Sequence, residues 1–199
     1  IETGPFGFFV AEGSVSFFED CLIRGQGVLT PVLSLDQETG LGLYDSAIIA
    51  TGDAAGKGGT ALFWNGSNIY FRQHEGMIQA HGEGAIGLYS MADVSINTPY
   101  QTTHGLEPTF SPFTVEASGK DSIAISAKES IWLVFCILSA EGQAVHSEDV
   151  IWLDECITSP VVTPDEAQII QREIVRSDNA IDILFFHTAG TPFPGDSEN

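Results

Sequence analysis

Short apolar runs, most of them alternating with polar residues, fill this chain. Gly-rich turn signals interrupt them about every eight to twelve residues: RGQG, QETG, GDAAGKGG, NGSN, HGEG, ASGKD and AEGQ. A period of two marks half-buried β-strands, so segments such as GFFVA, SVSFF, VLSL, AIIAT, TALFW, MIQA, FTVEA and SIAIS predict an all-β protein. Helix has one candidate. Thr163-Pro164-Asp165-Glu166 reads as a capping box, and Ala167, Ile170 and Ile174 follow at helical spacing, which predicts a short helix near 164–176. An alternating strand starting at Gln168 is its rival.

The pattern changes along the chain. Residues 1–98 are Gly-rich with very short strands, and 113–190 carry longer, more aliphatic ones. PYQTTHGLEPTFSP between them has three prolines and almost no alternation. The expectation is a Gly-rich β region with an internal repeat at 1–98, a linker or crossover at 99–112, an antiparallel β-sandwich or jelly-roll-like domain at 113–190, and an exposed acidic tail at 191–199.

Two echoes stand out. Gly42-Leu43-Tyr44 returns as Gly87-Leu88-Tyr89, each followed by an apolar strand, which suggests a repeated unit that buries its apolar face against a neighbour or another chain. Ile131-Trp132-Leu133 with Cys136-Ile137 returns 20 residues later as Ile151-Trp152-Leu153 with Cys156-Ile157. That offset fits one coil of a β-solenoid, which would lay Trp over Trp, and it also fits two strands of one sheet with a third strand between them. With only two copies, the second reading is preferred.

Charge narrows the function. Twenty-seven acidic residues against seven basic give a formal net charge of −20, a field that repels phosphate backbones and anionic lipid. Nucleic-acid binding is therefore not expected. The longest apolar run, IWLVFCIL, is strand-sized and far short of the roughly 20 residues of a membrane helix, so no membrane insertion is expected. The chain begins with Ile, which points to a missing leader or upstream region. Three cysteines, Cys21, Cys136 and Cys156, form neither a CxxC site nor an even disulfide framework and read as small buried apolar residues.

No GxSxG, P-loop or dinucleotide fingerprint is present, and no catalytic residues are assigned. His74, His81 and Glu83 in HEGMIQAHGEG supply zinc-type ligands, but without HExxH spacing; a two-His site would need His74 and His81 to face each other across a hairpin. Acidic pairs such as Asp36/Glu38 and Glu19/Asp20 make calcium the one cofactor to consider, although none follows an EF-hand pattern. Asn65-Gly66-Ser67 is formally a glycosylation sequon and also a favoured hairpin turn between ALFW and IYFR.

Residues 30–71 resemble the short repeats of bacteriophage tail fibres and tailspikes, in which a Thr-Gly turn leads into Gly-Leu-Tyr, a strand ending Ala-Thr-Gly, then Gly-Thr and another strand. The matching residues are Leu33-Ser34, Thr39-Gly40, Leu43-Tyr44, Ile48 to Gly52 and Gly59-Thr60. The match departs from the pattern at an inserted Leu-Gly and at the long GDAAGKGG turn. The resemblance implies a non-enzymatic, trimeric virion or extracellular component that contacts itself, other virion proteins and host-surface glycans, with Trp64, Tyr70 and Phe71 as contact residues. The alternatives are a secreted carbohydrate-binding β-sandwich and a metal-dependent jelly-roll enzyme.

Overall fold

The computed structural model describes residues 1–3, 7–10, 15–36, 40–65, 70–74, 76–97, 112–154, 156–162, 168–170, 172–177 and 180–185. The chain winds in successive coils, each laying down one strand on each of three faces. The first coil is β1 (Phe8–Val10), β2 (Val15–Glu19) and β3 (Leu22–Gly25); the second is β4 (Leu33–Leu35), β5 (Gly40–Tyr44) and β6 (Ala47–Ala50). Then come β7 (Thr60–Trp64), β8 (Tyr70–His74) and β9 (Met77–His81), followed by β10 (Ile86–Ser90), β11 (Val94–Asn97) and β12 (Phe113–Ser118). The fifth coil is β13 (Ile123–Ala127), β14 (Ile131–Val134) and β15 (Cys136–Ala140), and the sixth is β16 (Gln143–Ser147), β17 (Ile151–Asp154) and β18 (Ile157–Ser159).

On the first and third faces each strand pairs in parallel with its counterparts in the neighbouring coils. The first face runs β1-β4-β7-β10-β13-β16 and the third β3-β6-β9-β12-β15-β18. The middle face is split into β2-β5-β8 and β11-β14-β17, the latter extended by β19 (Gln168–Ile170). The architecture is a three-faced parallel β-solenoid. Only β20 (Arg172–Ser177) and β21 (Ala180–Phe185), among the described residues, pair antiparallel.

The parallel pairing overturns the expected antiparallel sandwich or jelly roll. The turn signals were real but do not reverse the chain. At the corner from the third face to the first, Gly27, Gly52, Gly82 and Gly119 hold φ of +73°, +70°, +108° and +109°, one in each of four successive coils. At the corner from the middle face to the third, Asp20, Asp45 and Phe135 hold φ of +51°, +48° and +58°. A single left-handed residue between two extended segments bends a strand onto the next face, and stacked coils repeat the bend.

The expected helix near 164–176 is also absent: residues 168–170 pair with β17 and 172–177 with β21, while 163–167 lie outside the described residues. The edge of β17 presents a row of backbone donors and acceptors, which Gln168–Ile170 satisfies as a strand. Most of 99–112 lies outside the described residues, but the strands flanking it pair with one another on all three faces, β9 with β12, β10 with β13 and β11 with β14. Residues 191–199 are not described.

The core is a set of side-chain columns running along the solenoid. Leu33, Leu62, Leu88, Ile125 and Val145 stack on the first face, and Ile23, Ile48, Ile78, Val115 and Leu138 on the third. All ten are buried. A column of small residues, Gly25, Ala50, Ala80, Ala117 and Ala140, closes the third face just before the glycine corner. Bulk is matched between coils: Trp64 lies fully inside the core in register with Leu35 on one side and Ser90 on the other, so a large ring sits beside a small residue.

Register also explains why the period is hard to read. Leu33 to Leu62 spans 29 residues, Leu62 to Leu88 spans 26, Leu88 to Ile125 spans 37 and Ile125 to Val145 only 20. Extra chain leaves at a corner and the next strand resumes the register, so coils of unequal length stack without a break.

The glycine corners make the sharpest test of this packing. A Cβ on Gly82 would lie 2.7 Å from Gly58 Cα and 2.9 Å from Gly56 O, whereas one on Gly56, also at positive φ, would meet nothing within 4 Å. Gly56→Ala is expected to cost about 1 kcal/mol, the backbone penalty alone, and Gly82→Ala at least twice as much, measured as the shift in urea midpoint at unchanged m-value. Equal costs would mean that the coils do not approach so closely there.

Candidate functional site: a stacked tryptophan pair on the middle face

On β14 and β17 the sequence alternates Ile-Trp-Leu, and the solenoid converts the alternation into inside and outside. Ile131, Leu133, Ile151 and Leu153 are buried, while Trp132 and Trp152 stand on the outer surface of the middle face. In-register pairing sets Trp132 beside Trp152, with ring centroids 5.3 Å apart and planes inclined by 38°. Trp132 is 48% exposed. Trp152 is half-buried, and the two outward-facing rings together form an apolar platform that a ligand could reach.

Hydrogen-bonding groups border the platform. At the corner leading into the middle face, the Ser130 N–H donates to Asp93 Oδ1 at 2.9 Å, and the Ser130 hydroxyl donates to Asp149 Oδ2 at 2.8 Å. Asp149 is held in turn through its own N–H, which donates to the Ser147 hydroxyl at 3.0 Å. Ser130 lies two residues before Trp132, and Val150, itself exposed, two residues before Trp152. The result is a tilted aromatic pair with carboxylate acceptors at one end.

Such an arrangement suits an amphipathic ligand with one apolar face and hydroxyl groups around its edge. The ring faces take C–H groups and the carboxylates accept O–H donors. Pyranose rings have that shape and that distribution of polarity. With a net charge of −20, the surrounding field favours neutral or cationic sugars over uronic or sialic acids.

The residues singled out from sequence fall elsewhere. Trp64 is wholly buried, with an indole N–H that has no hydrogen-bond partner, and belongs to the core. Tyr70 and Phe71 lie on β8, where Phe71 shares register with Leu41. The ALFW and IYFR segments are not a hairpin: β7 pairs with β4 and β10, and β8 with β5. His74 ends β8 and His81 ends β9, so the whole of β9, about 16 Å of strand, separates their backbones. His81 Nδ1 lies 2.8 Å from the Ser118 hydroxyl, and Glu83 forms an exposed ion pair with Lys120 at 3.8 Å. The structure therefore does not assemble these three residues into one site.

Acidic corners fare similarly. Asp20 and Asp45 border an open groove of about 330 Å³ with Cys21, Leu22, Ser46, Ala47 and Met77. Among the described residues, no three His, Cys, Asp or Glu side chains form a group that could hold a metal ion. No helix among them is long and apolar enough to cross a membrane.

The tryptophan pair had a signal in the sequence, the echo at an offset of 20. Its solenoid reading, Trp over Trp, is the one the register realises, rather than the preferred sheet with an intervening strand. The Gly-Leu-Tyr echo is not structural repetition, because Gly42-Leu43-Tyr44 lies on the middle face and Gly87-Leu88-Tyr89 on the first. Comparison with protein-family models, curated proteins and solved structures finds no match.

Two indoles this close couple their electronic transitions. The far-ultraviolet circular dichroism is expected to contain an excitonic couplet that disappears in both Trp132→Phe and Trp152→Phe and persists in Trp64→Phe. Its survival in either of the first two variants would mean that the rings are not paired.

Proposed function

We propose that this protein is a non-enzymatic structural adhesion protein, a solenoid rod that contacts neutral glycans through the outer surface of its middle face. The observation that carries this reading is the outward-facing Trp132–Trp152 pair, Trp132 exposed and Trp152 half-buried, with Ser130, Asp93 and Asp149 at the corner before it. Stacked coils make a stiff support, and a rigid aromatic pair loses little conformational freedom on binding. Display on a virion or another extracellular surface is the setting that the tail-fibre-like segment 30–71 supports. That segment runs from just before β4 into β8, about one and a half coils.

A glycan array, followed by titration with the best neutral oligosaccharide, tests the binding. Trp132→Ala and Trp152→Ala are each expected to weaken affinity by about 10- to 100-fold, corresponding to about 1.4–2.7 kcal/mol, with the thermal midpoint little changed. A protein that binds no glycan, or variants that bind as tightly as the parent, would rule the platform out.

Self-assembly belongs to the same proposal, with a trimer as the expected species. Leu29, Met91, Val150, Ile157 and Val161 are large apolar side chains exposed on the single chain, and association would cover such surface. Size-exclusion chromatography with light scattering is expected to give three times the chain mass; a monomer at tens of micromolar would remove the trimeric appendage from consideration.

A further inference from the structure

The three cysteines, although scattered in sequence, occupy one structural position: the residue that opens the third face after the corner from the middle face. Ser46 holds the same place in the second coil. Each of these side chains donates back to the carbonyl two residues earlier, Cys21 to Glu19 at 3.1 Å, Ser46 to Tyr44 at 2.7 Å, Cys136 to Val134 at 3.6 Å and Cys156 to Asp154 at 3.3 Å. A shared hydrogen bond means a shared side-chain direction. Along this corner Cys21 has Ser46 as its neighbour, its N–H donating to the Ser46 hydroxyl at 3.0 Å. Cys136 and Cys156 have each other.

Register places them together. Ile137 pairs with Ile157 and Leu138 with Thr158, so Cys136 and Cys156, one residue earlier, are stacked in successive coils. Coils in a parallel sheet are about 4.8 Å apart, within the Cα separation of about 4.4–6.8 Å that a disulfide spans. Both thiols are free. The Cys156 thiol also reaches the Leu133 carbonyl in the coil before its own, at 3.5 Å, so it leans towards Cys136. Burial and, secondarily, the neighbouring Cys156 thiol hold the Cys136 thiol well above its ordinary pKa, while the Val134 carbonyl acts the other way.

We infer that Cys136 and Cys156 form a redox site that closes into a disulfide between the last two coils when the protein meets a small-molecule disulfide oxidant. Exposure sets the order of events. Cys156, half-buried, is reached first, and its thiolate attacks the oxidant RSSR to form a Cys156–S–SR mixed disulfide with release of one thiolate. The buried Cys136 then attacks Cys156 Sγ and gives up its proton, the second RS group leaves as RSH, and the coils are joined. Two cysteine thiols lose two electrons and two protons, and one RSSR becomes two RSH. The link ties β15 to β18, which among the described residues is the last strand of the third face.

Oxidised glutathione tests the inference on the folded chain, with alkylation, proteolysis and mass spectrometry under non-reducing conditions. The expected product is an intramolecular Cys136–Cys156 peptide pair two mass units below the sum of its thiols, with Cys21 left as a glutathione adduct or free. The thermal midpoint should rise by several degrees and fall back with dithiothreitol. Cys136→Ser is expected to stop at a stable Cys156 adduct, and Cys156→Ser to leave Cys136 unmodified. Serine already stands at this corner in the second coil, so far-ultraviolet circular dichroism should show both variants folded. If either variant fails to fold, the parent's peptide map decides alone. A stable Cys156–glutathione adduct in the parent, or a disulfide joining two chains, would overturn the inference.

Discussion

Coil-to-coil hydrogen bonding in register is the constraint on which the rest of this molecule depends. Along each face the solenoid strands satisfy their backbones through neighbouring coils and not through the strand next in sequence; among the described residues β20 and β21 are the exception. Once register is set, every inward position lies against the equivalent inward position of the next coil. Columns of Leu and Ile, a column of Ala and a series of glycine corners then follow together. A slip by one residue would turn each column outwards, so the core and the register enforce each other.

The same constraint builds the surface. Equivalent outward residues also stack, and the outer surface therefore carries pairs that no single coil could make: Trp132 with Trp152, Phe63 with Tyr89 at 5.9 Å, and Gln79 donating to Glu116 at 2.8 Å. Where the stacked residues are aromatic and outward-facing, they make the platform proposed to bind glycan. Where they are thiols, they make the pair inferred to close into a disulfide. Neither feature needs a dedicated loop, because the solenoid supplies alignment along its whole length.

Uneven coil length is tolerated because the corners absorb it. The offset across 98–111 is 37 residues on all three faces, against 20 in the coil that follows on the first and middle faces. That variation hid the architecture from a search for periods. The corner residues were the better guide. Gly25-Gln26-Gly27, Ala50-Thr51-Gly52, Ala80-His81-Gly82, Ala117-Ser118-Gly119 and Ala140-Glu141-Gly142 all read small-x-Gly and all sit where the third face ends. They were visible as turns, but nothing local says whether a turn reverses a strand or bends it towards another face.

By itself the sequence determined the strand class, the places where strands end, and which residues alternate between core and surface, because these depend on side-chain polarity and on glycine's access to positive φ. It also contained the Ile-Trp-Leu echo. Only the tertiary structure decided which strand lies against which, since parallel pairing joins residues 16 to 37 apart and leaves no mark between neighbours. That decision moved Trp64 into the core and brought Trp132 and Trp152 together on the surface. It also separated His74 from His81 along β9 and stacked Cys136 on Cys156. Hydrogen bonds between coils are formed by backbone groups common to every residue, and for that reason the partner of each strand could not be read from the residues within it.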